Sequence, residues 1–356
     1  MRMLELMAEY DHEQVVFCHD KASSLRAIIG IHDTTLGPAL GGTRMWPYKT
    51  EEEALTDVLR LSRGMTYKNS SMGLALGGGK AVIIGDPRKD KSEELFRAFG
   101  KFVESLGGRY ITAEDVGTTT EDMSIIRGET THVVGLEGQG RSGDPSPVTA
   151  YGVFRAMAAS LREAFGSDEF LGMKVAVQGV GAVGYHLVKY LLDAGAKVTV
   201  TDIFPEKAQR AVELGAEAVP PDGVYDVECD IFAPCALGAI INDSTIPRLN
   251  AKVICGSANN QLLENRHGEI LAQRGILYAP DFIANGGGVI NVALDMSPQG
   301  YSLDGAMARV SGIYDILLKI FDIAKEMGLG TNRAAEVYAE TRIKKALSQK
   351  RMFLPR

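Results

Sequence analysis

Lys174-Val175-Ala176-Val177-Gln178-Gly179-Val180-Gly181-Ala182-Val183-Gly184 decides the fold of this chain. Five residues of buried-strand character run straight into G-x-G-x-x-G, and 185–194 beyond it reads as a helix. Gly179 permits a tight turn, Gly181 lets a pyrophosphate approach the backbone, and Gly184 lets helix and strand pack closely. The backbone from Val180 through Ala182 and Val183 then presents a helix N-terminus to negative charge. A second strand, 197–201, ends in Asp202, placed to accept hydrogen bonds from an adenosine ribose and to repel a 2′-phosphate. Together these features predict a doubly wound domain that binds NAD in preference to NADP; the competing reading is a β-α-β unit with no nucleotide.

Strands over 230–233, 253–255 and 276–278 continue this sheet. Their ends line the ligand crevice of such a fold, which nominates Cys235, Ala236, Ser257, Asn259, Asn260 and Asn285. Cys235 has the position of a nucleophile but no histidine partner nearby, so it reads as a small packing residue. Gly286-Gly287-Gly288 opens a helix on which Val289 and Val292 share a face, with core packing as the default reading. Amphipathic helices over 303–327 and 331–350 end the chain. Upstream, 149–165 is a helix, and the glycine- and proline-rich stretch 135–147 marks the passage between domains.

The first part of the chain mixes strand and helix. Short strands are expected at 14–18 and 25–31, a loop at Gly37-Pro38-Ala39-Leu40-Gly41-Gly42, and a helix capped by Thr50 that carries Lys68 at or just beyond its end. Gly77-Gly78-Gly79-Lys80 follows, its glycines leaving a bare surface where the backbone turns or approaches a ligand, its lysine supplying one mobile charge. A phosphate-binding loop is rejected, because Leu74 stands where its first glycine belongs and Ala81 where its hydroxyl belongs. A strand at 81–84, a helix at 91–106 and a strand at 109–113 deliver Asp115. Lys68, Lys80 and Asp115 each sit among apolar or small residues, where partial burial suits acid–base chemistry, although each alone reads as an ordinary surface charge.

A chain of 356 residues, 45% hydrophobic and 23% charged, is long enough for two cores. Its formal charge of −7, with cations scattered, argues against a nucleic-acid partner. Cys18, Cys229, Cys235 and Cys255 form no C-x-x-C pair, no metal site is expected, and no run is apolar enough to span a bilayer. A cytoplasmic location with reduced thiols is expected.

Taken together, Gly37-Pro38-Ala39-Leu40-Gly41-Gly42-Thr43-Arg44, Gly77-Gly78-Gly79-Lys80, Thr112-Ala113-Glu114-Asp115-Val116-Gly117-Thr118, Ala233-Pro234-Cys235-Ala236 and Ala258-Asn259-Asn260 resemble the leucine dehydrogenases, within the superfamily that includes glutamate and phenylalanine dehydrogenases. The resemblance runs through nearly the whole chain. It implies NAD-dependent, reversible oxidative deamination of branched-chain aliphatic L-amino acids (leucine, valine, isoleucine) to 2-oxo acids and ammonia. By the same resemblance Lys68 holds the substrate carboxylate, Lys80 is the general base for the attacking water, and Asp115 shuttles protons at the amino nitrogen. Leu40, Gly41, Gly42, Met65, Ala113, Asn260, Val289 and Val292 would meet the substrate. Thr149, Ile203, Cys235, Ala236, Asn259 and Asn285 would join the glycine motif and Asp202 in holding the cofactor.

Leu40 stands where relatives acting on glutamate carry a lysine, which argues against that substrate. Relatives acting on phenylalanine usually have glycine in place of Ala113, so phenylalanine ranks second. A protein that binds NAD without catalysis is the third reading. Gly184 and Gly286 replace family alanines, a loss of methyl groups expected to loosen the nicotinamide side. The implied architecture is α/β in two domains, an N-terminal α/β substrate and oligomerisation domain of 1–148 completed by C-terminal helices of 331–356, and a Rossmann-type doubly wound NAD domain of 149–330. The active site would lie in the cleft between them, and the assembly would be a homo-octamer.

Overall fold

The computed structural model describes residues 3–348 and divides into two compact units. One comprises Met1–Asp144, Val292–Ser302 and Ala339–Arg356; the other comprises Pro145–Asn291 and Leu303–Tyr338. Residues 292–302, which carried no sequence signal of a return, belong to the first unit. The helix Thr331–Leu347 passes from the second unit into the first, and the expected segment 349–356 lies outside the described residues.

The first unit is built on a mixed sheet of β1 (Gln14–Asp20), β2 (Leu25–Asp33), β3 (Ala39–Leu40), β4 (Thr43–Trp46), β5 (Gly77–Ile84) and β6 (Tyr110–Ile111). β1 and β2 form an antiparallel hairpin, β2 pairs antiparallel with β5, and β3 and β4 both run parallel to β5. One short strand, β3, thus occupies part of the stretch read as a loop, because it is recruited by backbone pairing to β5 and β6 rather than by its own alternation. Ile29, Ile31, Met45, Ile83, Phe96, Phe99 and Tyr110 form the core on one face. Ala54, Leu55, Val58 and Leu59 of the helix Glu51–Ser71 cover Ile28 and Val82 on the other.

That helix starts where Thr50 accepts from the Glu53 N–H, and three glutamates occupy its first turn. It runs on to Ser71, just past the expected end, so Lys68 sits inside its last turn. The glycines of 77–79 lie within β5, not in a turn. A Cβ on Gly78 would overlap the backbone nitrogen and hydroxyl of Thr66 and stand 2.6 Å from the Ser62 carbonyl. On the opposite face, a Cβ on Gly79 would stand 2.8 Å from the Tyr110 ring. The glycines therefore let a helix and a ring close directly on the strand backbone.

Beneath the same helix lie two buried histidines. His12 Nε2 bonds to Ser62 Oγ at 2.7 Å and His32 Nδ1 to Thr66 Oγ1 at 2.8 Å, with the rings edge to face at 4.8 Å. Burial pushes both well below the ordinary histidine value, and mutual repulsion with nearby Arg63 lowers His32 further.

The second unit has a six-stranded, all-parallel sheet: β7 (Lys174–Gln178), β8 (Lys197–Thr201), β9 (Glu217–Ala218), β10 (Ile231–Pro234), β11 (Val253–Ile254) and β12 (Leu277–Tyr278). Its order, β12-β11-β10-β7-β8-β9, is that of dinucleotide-binding sheets, with the switch point between β7 and β10. The two central strands are buried on both faces, which is why they read as unbroken apolar runs.

Gly78→Ala should lower the melting temperature by several degrees, from an overpacking cost of about 1–3 kcal/mol. Gly64→Ala, on the same helix with open space around it, should be neutral or raise it; similar melts for the two would sink the close-packing account. The histidine pair gives a second expectation. Because the folded values lie below the unfolded one, stability is intact above about pH 6.5 and falls below it as the unfolded chain takes up protons, by about 1.4 kcal/mol per pH unit for each histidine. Melts of His12→Gln/His32→Asn between pH 7.5 and 5 should be flatter than wild type, and an equally steep fall would place the acid sensitivity elsewhere.

Candidate active site

In the first unit the sheet itself assembles a charged cluster. β4 and β5 run side by side, and the segment after β6 bonds along β4 through Thr43 N–H to Ala113 O (2.8 Å) and Met45 N–H to Val116 O (2.9 Å). Arg44, Lys80 and Asp115 are thereby delivered to one place. Lys80 Nζ lies 2.8 Å from Asp115 Oδ1, and Arg44 Nε lies 3.0 Å from Asp115 Oδ2. The Lys80 side chain is 6% exposed and that of Asp115 20%.

Such burial raises a carboxyl, but the Lys80 ammonium and the Arg44 guanidinium outweigh it and hold Asp115 below its ordinary range. The Asp115 N–H donates to Thr118 Oγ1, which donates to the Thr43 carbonyl, so the loop is tied back to the strand. Gly117 has φ +83° in the turn between them.

Glycines again set the spacing. A Cβ on Gly41 would overlap the Gly79 carbonyl and stand 3.1 Å from Met65 Cγ; one on Gly42 would stand 2.9 Å from Asp115 Cβ. Gly41, Gly42, Met65, Lys80 and Asp115 thus share one neighbourhood. Lys68 lies one turn beyond Met65 and is half-buried. Leu40 is wholly enclosed and Ala113 nearly so. Val289 is buried and Val292 half-buried on the helix Gly287–Ala293, where Val292 Cγ1 faces Gly135. Arg44 was quoted in a motif but given no role. Its signal, a cation in the first turn of chain after paired glycines, acquires meaning only once β4 is known to be a strand.

The second unit presents its strand ends as a cradle. Gly179 has φ +97°, and a Cβ there would stand 2.6 Å from Ala236 Cβ. Gly181 caps the helix Ala182–Asp193 with open space where its side chain would be. Asp202 accepts from the N–H groups of Val180 (2.8 Å) and Phe204 (2.9 Å), which fixes its carboxylate beside the glycine turn with lone pairs to spare. Next to it Ile203 is 72% exposed, an apolar surface suited to a flat base.

Asn285 donates to Ser257 O (3.1 Å) and Asn259 Oδ1 (2.7 Å), while its own buried Oδ1 has no partner. An unsatisfied buried acceptor is costly unless a donor arrives, and a carboxamide would supply one. Thr149 Oγ1 donates to Pro145 O (2.8 Å) and keeps only acceptor capacity. Asn259 and Asn260 are exposed, Asn260 in the left-handed region at φ +51°. Burial pushes the Cys235 thiol up, although hydrogen bonds from Ser257 oppose this, so it is unsuited to act as a thiolate. A Cβ on Gly184 would overlap the Gly179 carbonyl, so the helix start packs directly on the glycine turn. Among the described residues no cluster of His, Cys, Asp or Glu could hold a metal ion, and no helix is long and apolar enough to cross a membrane.

Comparison with known proteins converges on one family. A Glu/Leu/Phe/Val dehydrogenase dimerisation-domain model matches residues 12–132, and a Glutamate/Leucine/Phenylalanine/Valine dehydrogenase model matches 140–204 and 201–350. The chain is 61% identical to the leucine dehydrogenase of Thermoactinomyces intermedius over 99% of this chain and 97% of that one. It is 60% identical to that of Geobacillus stearothermophilus over 99% and 96%. Among solved structures, the L-tryptophan dehydrogenase from Nostoc punctiforme matches with a TM-score of 0.84 at 48% identity, covering 97% of this chain and 99% of that one.

Gly179→Ala meets both a left-handed backbone and the Ala236 side chain. We expect its dissociation constant for NADH, followed by fluorescence titration, to rise at least about tenfold, a loss of roughly 1.4 kcal/mol. Unchanged affinity would remove the glycine turn from the cofactor site.

Proposed function

The chain belongs to the Glu/Leu/Phe/Val dehydrogenase family, and from that premise we propose that it catalyses the reversible, NAD-dependent oxidative deamination of L-leucine, and of valine and isoleucine, to the 2-oxo acids and ammonia. The observation that supports this reading best is the buried Lys80–Asp115 ion pair, 2.8 Å long. It puts a proton donor and a proton acceptor in direct contact. A nicotinamide cofactor held by the second unit would supply the acceptor for the hydride of the substrate α-carbon.

The chain's own residues do the rest. The ammonium of Lys68 holds the substrate carboxylate as a fixed cation. Once its ammonium has given a proton to Asp115, the neutral amine of Lys80 takes the proton from the water that attacks the imine, and Asp115 passes its proton to the departing amino nitrogen. With its carboxyl held below the ordinary range, Asp115 enters the cycle as an acceptor. The residues that the family resemblance assigns to the substrate side chain, Leu40, Ala113, Val289 and Val292, are all apolar, so a distal carboxylate would find no partner among them. Apolar walls separate neighbouring aliphatic substrates by only about 1–3 kcal/mol, which makes a mixed branched-chain preference the natural outcome.

On the cofactor side, Gly181 and the helix N-terminus would hold the pyrophosphate, Asp202 would accept from the ribose hydroxyls, and Asn285 with Thr149 would accept from the carboxamide. A 2′-phosphate beside the Asp202 carboxylate would set like charges together, hence NAD over NADP. Assembly as a homo-octamer and a cytoplasmic location complete the proposal.

The test is NADH formation with L-leucine, L-valine, L-phenylalanine and L-glutamate, repeated with NADP. Leucine and valine should lead, NADP should be poor, and Lys80→Ala should lose at least about 10²-fold in kcat, as removal of a general base does. Phenylalanine in the lead would overturn the pocket reading. NAD binding with no turnover on any of the four would put a non-catalytic role first.

A further inference from the structure

Asp115 has a second partner that the reaction described above does not use. One edge of the Arg44 guanidinium binds Asp115 Oδ2 through Nε at 3.0 Å, and its Nη1 binds Asp57 Oδ2 at 3.0 Å. Asp57 belongs to the helix Glu51–Ser71 and also accepts from the Tyr48 hydroxyl at 2.5 Å. A continuous line therefore runs Lys80–Asp115–Arg44–Asp57–Tyr48, from strand to loop to strand to helix. Arg44 and Asp57 side chains are 22% and 27% exposed, so the middle of the line is only partly shielded from bulk water.

We propose that Arg44 is a positioning residue for the reaction, fixing one oxygen of Asp115 so that the other points at Lys80, with Asp57 and Tyr48 as its buttress. A carboxylate with a single cation can swing, and either oxygen can then face that cation. Held from opposite sides by Nε and Nζ, it has one orientation, and only Oδ1 is left to exchange protons. Arginine suits this role better than lysine, because the planar fork addresses two carboxylates at once, Asp115 through Nε and Asp57 through Nη1. The far side of Arg44 opens on a surface cavity of about 520 Å³ lined by Trp46, Tyr48, Thr56 and Asp57. The groups facing Asp115 are accounted for from each side: Lys80 from β5, Arg44 from β4, the Thr118 hydroxyl from its own loop, Tyr110 from β6, and the neighbouring Glu114.

The inference rests on the dehydrogenase reading, so its test has one arm that needs no turnover. In Arg44→Gln, carbon-13 titration of the Asp115 carboxyl should show its pKa raised, because one of two cations is gone. In the leucine assay the same variant should lose about 10- to 100-fold in kcat while KM for leucine stays within about threefold, and the acid limb of its kcat/KM profile should move to higher pH. Arg44→Lys should return the acid limb toward wild type without restoring kcat, and ethylguanidinium entering from the cavity should restore part of the kcat of Arg44→Ala. Asp57→Asn, which keeps the shape of the buttress, should show a smaller loss of the same kind and guards against a fold defect in the Arg44 variants. An unchanged carboxyl titration, or wild-type kcat and pH profile in Arg44→Gln, overturns the proposal. Should wild type fail to oxidise leucine, the functional reading falls alone and the titration arm decides on Arg44.

Discussion

Helix Glu51–Ser71 lies directly on the backbone of β5, with no side chain between Thr66 and Gly78, and the first unit depends on that contact. A methyl group at Gly78 would force the helix away from the strand. Everything the helix carries would then shift with it: Ser62 and Thr66, which bond the buried histidines, Asp57, which braces Arg44, and Lys68 in the last turn. Backbone packed on backbone has little room to adjust. Close-packed interiors transmit strain instead of absorbing it, so bare glycine surfaces are a means of placing side chains to within a few tenths of an ångström.

Charge explains why the cluster stays where steric fit puts it. An isolated ammonium as buried as Lys80 would carry a large desolvation penalty, which Asp115 offsets, and Arg44 lets Asp115 remain a carboxylate while doing so. Asp57 balances the outer cation, Arg44, so the two cations and two anions of the line are matched.

The two halves of the chain differ in how much they reveal before folding. β7 and β8 fall on the residues that pattern and motif predict, because a strand buried on both faces is a continuous apolar run and a dinucleotide turn demands glycine at fixed offsets. Lys80 and Asp115 stand out in sequence through unusual neighbours, and the structure brings them into contact. β3 and β4 are illegible alone: two and four residues long, they are strands because β5 offers them unpaired backbone groups. Arg44 shares that fate. Its partners lie 13 and 71 positions away, on elements whose register no local pattern encodes.

Glycine also shows why a residue type cannot be read without its surroundings. In Gly179 the requirement is conformational, a positive φ that an L side chain resists; in Gly78 and Gly79 it is steric, with ordinary strand geometry and no room outward. Gly184 combines sequence and structure in a third way. A methyl group there would overlap the Gly179 carbonyl, so the helix start lies directly on the turn. A missing atom in a packed region is more often filled by its neighbours than left as freedom, since an empty space forfeits dispersion on every side. The glycine turn of this chain is therefore held by the close contact of Gly184 with the Gly179 carbonyl as well as by the hydrogen bond from the Val180 N–H to Asp202.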